Sequence, residues 1–186
     1  MTSLTGRKPA LIAVDGVAGP AITAAARAAL TSIDRAARSG VSHWDASGLF
    51  EELAVADADA GQPSVRTLLL LYAADLAFRL RWEIRPALAE GRCVVAAPYV
   101  DTAIAFGRAA GLGAAWLSNL FQFAPRPDAR RFAGASARGS RSHMSGGFVE
   151  FGCEHVAGAA NGVTRAELMD RMGTYLRARS RVRSAR

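Results

Sequence analysis

The apolar positions of the chain fall into two kinds of run. Residues 10–14 and 93–97 are short and unbroken, as expected of strands buried on both faces of a parallel sheet. Elsewhere the apolar residues recur at helical spacing. Ile22, Ala26, Ala29, Leu30 and Ile33 predict a helix from Pro20 to about Arg38, closed by Ser39-Gly40. Leu49, Phe50 and Leu53 predict a short amphipathic helix. Leu69, Ala73, Leu76 and Leu80 lie on one face of the longest helical pattern, residues 64–90, which Ser64 caps and Pro86 kinks or restarts.

After the second strand, Asp101 or Thr102 is placed to cap a helix that ends in the glycines of residues 111–113. Residues 114–123 then carry Trp116, Leu117, Leu120 and Phe121 on one side, and Pro125-Arg126-Pro127-Asp128 stops the run. Residues 130–147, rich in Arg, Ser, Gly and Ala, read as a mobile, lid-like surface loop. Residues 148–156 alternate enough to predict a strand, and Asn161-Gly162 predicts a turn. Thr164-Arg165-Ala166-Glu167 is a capping box opening a last helix with Leu168, Met172, Tyr175 and Leu176 on its buried face. Residues 177–186 read as a frayed basic tail. Strands separated by helices in this order predict one α/β domain over residues 1–186, with a largely parallel sheet.

Composition narrows the class. With 51% hydrophobic and 21% charged residues, the 186-residue chain fits a soluble globular protein with a real core. No apolar run approaches the ~20 residues that span a bilayer, the first nine residues lack the apolar segment of a signal peptide, and two cysteines make no disulfide framework. The expected location is the cytoplasm.

The net charge of +7 is uneven. Residues 1–125 hold 11 basic and 11 acidic groups, whereas residues 126–186 hold 12 basic and 5 acidic. No aromatic residues interleave with the excess, so nucleic acid is not the expected partner. A solubilising tail and an anion-facing side are the expected account, the alternative being attraction to an acidic protein or anionic lipid. Lys8 is the only lysine. Cys153-x-His155 with His143 matches no strong zinc pattern, so no metal site is expected. His43-Trp44-Asp45 reads as a hydrogen-bonded turn, and Cys93 as an inert buried thiol.

Residues 11–30, LIAVDGVAGPAITAAARAAL, form a strand, a glycine turn and an alanine-rich helix, the architecture of a phosphate-binding loop. Two further stretches join it. One is LLLLYAADLA (68–77) followed by IRPALAEG (84–91). The other is VVAAPYVDT (94–102), then Gly111-Leu112-Gly113 and Pro127-Asp128. In order and spacing the three together resemble thymidylate kinase, a P-loop nucleoside monophosphate kinase family, over about residues 10–128.

The resemblance implies a three-layer P-loop NTPase-like fold, with about five parallel strands flanked by helices. It also implies ATP with Mg²⁺ on one side, dTMP on the other, and a homodimer formed through the helices of this region. Its functional positions are largely replaced. Against G-x-x-x-x-G-K-[ST], Gly16 and Thr23 match, Gly19 lies within the loop, Ala21 stands for the second glycine and Ile22 for the lysine. The family's acidic loop residue corresponds to Ala18. Its Asp-Arg-Tyr after the second strand is Ala97-Pro98-Tyr99, and its phosphate-binding arginine is Leu76. Tyr72 stands where the family stacks a phenylalanine on the thymine, and Phe106 where an aromatic packs beside the deoxyribose.

Phosphoryl transfer depends on electrostatic stabilisation of developing charge, and at least four such groups are missing. The expectation is a thymidylate-kinase-like pseudoenzyme without catalytic residues. It keeps a degenerate loop (Gly16, Gly19, Thr23) and a vestigial base pocket (Tyr72, Tyr99, Phe106), with weak residual nucleotide binding. It serves as a binding or assembly subunit, as a homodimer or with another protein. The alternative is an active dTMP kinase using ATP and Mg²⁺ through a remodelled loop.

Overall fold

The computed structural model describes residues 8–55, 62–133, 147–156 and 163–184. Four strands are present among them: β1 (Leu11–Asp15), β2 (Arg38–His43), β3 (Cys93–Ala97) and β4 (Ala129–Phe132). They form one parallel sheet in the order β2-β3-β1-β4. The helices are α1 (Gly19–Thr31), α2 (Leu49–Val55), α3 (Val65–Arg79), α4 (Arg85–Ala89), α5 (Val100–Ala109), α6 (Ala114–Leu120), α7 (Phe148–Val156) and α8 (Arg165–Ser184).

Alternation along the two central strands sorts their side chains into two cores. Ile12 and Val14 of β1, with Cys93, Val95 and Ala97 of β3, pack against Ile22, Ala26 and Ala29 of α1. Leu11 and Ala13, with Val94 and Ala96, face the larger core built by α3, α5, α7 and α8. This is the expected three-layer arrangement, and both central strands are buried on each face.

Several boundaries differ from the sequence expectation. Helix α1 ends at Thr31, not near Arg38. The Thr31 and Ser32 hydroxyls donate back to the Ala28 and Ala29 carbonyls, and Asp34 draws the following residues into a turn. Residues 38–43 then form β2, where only Ser42 is buried. Such a sheet-edge strand carries no apolar run to announce it. β4 likewise has no apolar run: Arg130 and Arg131, expected in a loop, pair with Ala13 and Val14. The rest of that expected lid, 134–146, lies outside the described residues, as does the Asn161-Gly162 turn.

Pro86 stands at the start of a new helix, α4, so the long helical stretch re-starts there as expected. A π-helical turn at Leu80–Ile84 precedes α4 and absorbs the missing proline N–H. Residues 148–156 are a helix, not a strand. Phe148, Val149, Phe151, Gly152 and Cys153 all face inward, which combines a helical repeat with extra burial on one side. The C-terminal stretch is no frayed tail, because α8 continues to Ser184. Two expectations at helix starts hold: Ser64 accepts the Thr67 N–H, and Thr164 and Glu167 exchange capping hydrogen bonds. Asp45, with φ of 58°, caps α2 through the N–H groups of Phe50 and Glu51.

Candidate functional site

In an open parallel sheet, ligands bind outside the carboxyl ends of the strands where successive connections diverge. Here that place lies between β1 and β3, since the chain leaves β1 toward β2 and leaves β3 toward β4. The turn after β1 is short. α1 begins at Gly19, so Ala21 and Ile22 stand in its first turn. The Ile22 N–H is taken by the Ala18 carbonyl at 2.9 Å.

Ile22, at the position where a phosphate-binding loop has its lysine, is buried in the α1-side core. Gly16 is enclosed as well: a Cβ built there would lie 2.9 Å from both Ala133 Cβ and Ile22 Cγ1. Thr23 remains half-buried. The Gly19 N–H points at the end of α1 and donates to Glu150 Oε1 at 2.8 Å. Glu150, carried by α7, is a negative group at the positive end of the α1 dipole. Burial raises its carboxyl pKa, against the lowering effect of the Gly19 hydrogen bond.

Across the crevice, Asp15 joins the two loops. Its Oδ1 accepts from the Tyr99 N–H (2.9 Å), the Thr102 N–H (2.9 Å) and the Thr102 hydroxyl (2.8 Å). The Thr102 oxygen in turn accepts the Gly16 N–H at 3.1 Å. Helix α5 is therefore capped by Asp15 from β1, and neither Asp101 nor Thr102 takes that role as expected. Burial, then the neighbouring Asp101 charge, pushes Asp15 up to about 6. Asp101 is itself buried and holds two arginines, Arg130 from β4 and Arg179 from α8.

Tyr72, Tyr99 and Phe106 do come together, but inside the core. Each is at most 1% exposed. The Tyr72 hydroxyl donates to the Tyr99 carbonyl at 2.7 Å, and the Tyr99 hydroxyl to the Pro125 carbonyl at 2.8 Å. Burial raises both phenol pKa values. The Phe148 ring from α7 lies 4.5 Å from Tyr72 and 5.2 Å from Phe106, centroid to centroid. Trp44, Phe50 and Phe151 extend this aromatic cluster. Leu76, at the family's arginine position, is fully buried.

Three groups at the site were missed from sequence. Glu150 was hidden by the strand reading of its segment. Asp15 carries no sequence signal beyond its place in the turn, since its partners Tyr99 and Thr102 lie more than 80 residues away. Arg79 is fully buried and donates to Ser42 Oγ, the Ser42 carbonyl and the Pro98 carbonyl at 2.9, 2.7 and 3.0 Å. Its spacing, seven residues after Tyr72 on the same helical face, was the available signal. Among the described residues no cluster of His, Cys, Asp and Glu has the geometry to hold a metal ion. Cys153 lies in α7, its thiol pushed up to about 11 by burial.

These residues do not fit ATP with Mg²⁺. Among the described residues, the start of α1 presents the Glu150 carboxylate to a triphosphate, and the core residue Ile22 stands at the position of the cation.

Comparison with known proteins agrees with this architecture. The structure matches that of a thymidylate kinase from Ehrlichia chaffeensis with a TM-score of 0.57 and 15% identity, over 69% of this chain and 72% of that one. The fold is that of the P-loop NTPases. The thymidylate kinase family model matches residues 48–138. A probable thymidylate kinase of Pyrococcus abyssi is 39% identical over 70 residues, and one of Pyrococcus horikoshii 40% identical over 70. The matched stretch is 38% of this chain and spans about a third (34%) of the length of either relative. The chain is a thymidylate-kinase-like protein. The family match begins at Gly48, so the turn and helix at Gly16–Thr23 lie outside it. No helix among the described residues is long and apolar enough to cross a membrane.

Proposed function

We propose that this thymidylate-kinase-like chain has lost phosphoryl transfer and serves as a binding or assembly subunit. The observation that carries this reading is the start of α1. The position of the phosphate-binding lysine holds a core isoleucine, and the first free backbone donor of the helix is engaged by Glu150. Phosphoryl-transfer catalysis is mostly electrostatic positioning, and removing one such group commonly costs on the order of 10²–10³ in rate.

The test is direct. Purified protein is incubated with ATP, Mg²⁺ and dTMP, and ADP formation is followed. The reading expects none above background. Turnover near ~1 s⁻¹, the low end for kinases, that disappears in Thr23→Ala would establish the competing reading of an active dTMP kinase. That alternative draws on Thr23, whose side chain stays half-exposed beside the loop.

The assembly role is supported by the outward face of α3 and the π-helical turn. Leu70, Phe78 and Trp82 are exposed there by 54%, 38% and 64%, with Ala74 and Ala77 between them. An apolar stripe of this kind is a candidate interface. The expected occupant is a second copy of the chain, and native mass spectrometry of wild type and Leu70→Glu checks it. A monomer in both removes the dimer from the proposal.

A further inference from the structure

We infer that helix α7 is a built-in occupant of the degenerate cleft, so that α7 and a nucleotide exclude one another. Glu150 takes the place of an anion at the start of α1, and Phe148 takes the place of a base beside Tyr72 and Phe106. The inference rests on reading the residues around Gly16–Thr23 and Tyr72 as a former nucleotide site.

The phosphate half is argued from α1. This helix has no acidic residue in its first turn and no side-chain cap of its own at Ala18. The cap comes from 131 residues away, through the Glu150 carboxylate on the Gly19 N–H. The approach is close because both chains are glycine at the contact. Gly147, with φ of 87°, sits where an added Cβ would lie 3.1 Å from Gly19 Cα. An incoming phosphate would seek the same N–H and meet a carboxylate there. The second carboxylate oxygen, Oε2, is buried without a hydrogen-bond partner. The cleft therefore offers this anion fewer donors than it can use.

The base half is argued from the rings. Phe148 is almost fully buried and contacts Tyr72, Phe106, Phe50 and Trp44 at centroid distances of 4.5, 5.2, 5.8 and 6.3 Å. These include both side chains that the resemblance to thymidylate kinase places beside thymine and deoxyribose. One turn on, Gly152 lets the Phe106 ring lie against the α7 backbone: an added Cβ would stand 2.5 Å from Phe106 Cζ. Phe148 and Glu150 are two residues apart on one helix, so a single docking event fills both halves.

The test uses the full chain with thymidine and inorganic phosphate, each at millimolar concentration, and reads thermal stability together with amide hydrogen exchange across α7. Wild type is expected to respond to neither probe, or to respond only with faster exchange in α7 as the helix is displaced. Phe148→Ala is expected to gain stabilisation by thymidine and not by phosphate. Glu150→Ala is expected to gain it from phosphate and not from thymidine. Each folded variant decides its own half, and Phe148→Val replaces the alanine variant if that one does not fold. Wild-type stabilisation by either probe with α7 exchange unchanged overturns the inference. So does a folded variant that ignores its probe, for the half concerned. No turnover enters this test, so ATP-dependent kinase activity, which would sink the proposed function, is a separate and distinguishable result.

Discussion

Arg179, on the twenty-residue helix α8, donates to Asp101 Oδ1 at 3.0 Å. The other oxygen of the same buried carboxylate receives Arg130 from β4. Asp101 thus ties the sheet edge, α5 and α8 together through two arginines that sequence composition assigns to a loop and a tail. Removing the carboxylate leaves two guanidinium groups facing each other without compensation. Asp101→Asn is expected to cost about 3 kcal/mol, the scale for losing one member of a buried pair. Arg179→Ala should cost less, about 1 kcal/mol at most, because that side chain is 42% exposed and screened. Urea denaturation of the two variants checks the order. An Arg179→Ala loss equal to that of Asp101→Asn would show that α8 docking, not the carboxylate, dominates.

Asp15 makes the stability of the fold depend on pH in an unusual direction. Its pKa is raised from 3.8 to about 6, chiefly by burial. Between those values the folded chain keeps a proton that the unfolded chain has released. Stability from this group is therefore highest at low pH, falls as pH rises through the window, and is level above it. The change is on the order of 3 kcal/mol. Asp45 and Glu150, also raised by burial, act with the same sign. Asp15→Asn keeps the three hydrogen bonds to Oδ1 and removes the titration. Its unfolding free energy, compared with wild type at pH 4 and pH 7, should show a smaller fall. Parallel pH profiles for the two proteins would mean that Asp15 ionises freely.

The parts of this structure legible in the sequence are those that bury apolar surface in a regular pattern. The runs at β1 and β3 and the face of α3 gave the two-sided core directly, and the capping box at Thr164 gave the start of α8. What stayed hidden follows from the opposite cause. Among the described residues β2 and β4 are the outer strands of the sheet and their side chains are mostly polar, so only strand partners reveal them. The site is harder still. Tyr72, Tyr99 and Phe106 were placed together by resemblance, but their burial depends on Phe148, whose segment alternates like a strand. Glu150 meets Gly19 through tertiary packing alone, and no spacing along the chain encodes that contact.

The docking of α7 on α5 offers a stability test independent of ligands. Gly152 has no room for a side chain, because an added Cβ would stand 2.5 Å from Phe106 Cζ and 2.7 Å from Phe106 Cε2. Phe106 is fully buried, so its ring cannot swing out to relieve the clash. Gly152→Ala favours the helix by about 1 kcal/mol, yet overpacking costs about 1–3 kcal/mol. The expected result is a net loss, read as a lower midpoint in thermal unfolding. Phe106→Leu, which retracts the ring, should recover part of it. An unchanged midpoint in Gly152→Ala would mean that α7 is free to shift away from α5.

Restoring the missing lysine separates a damaged enzyme from a scaffold that has been repacked. Ile22 is 4% exposed and packs with Val14, Val95 and Ala26, and its Cγ1 lies where a Cβ on Gly16 would have to go. The start of α1 is therefore not a loop waiting for a cation; it is part of the apolar core. Ile22→Lys removes a buried aliphatic side chain and asks an ammonium group to share its space. The Glu150 carboxylate at the start of α1 is already engaged by the Gly19 N–H. A cost of about 2–4 kcal/mol is expected, from lost packing and the burial of charge. No ATP-dependent phosphorylation of dTMP should appear. The measurement pairs a denaturation curve with the ADP-release assay on the same preparation. A variant as stable as wild type that turns over dTMP would show that one substitution had silenced a kinase, and that the packing around Gly16 is no obstacle to a triphosphate.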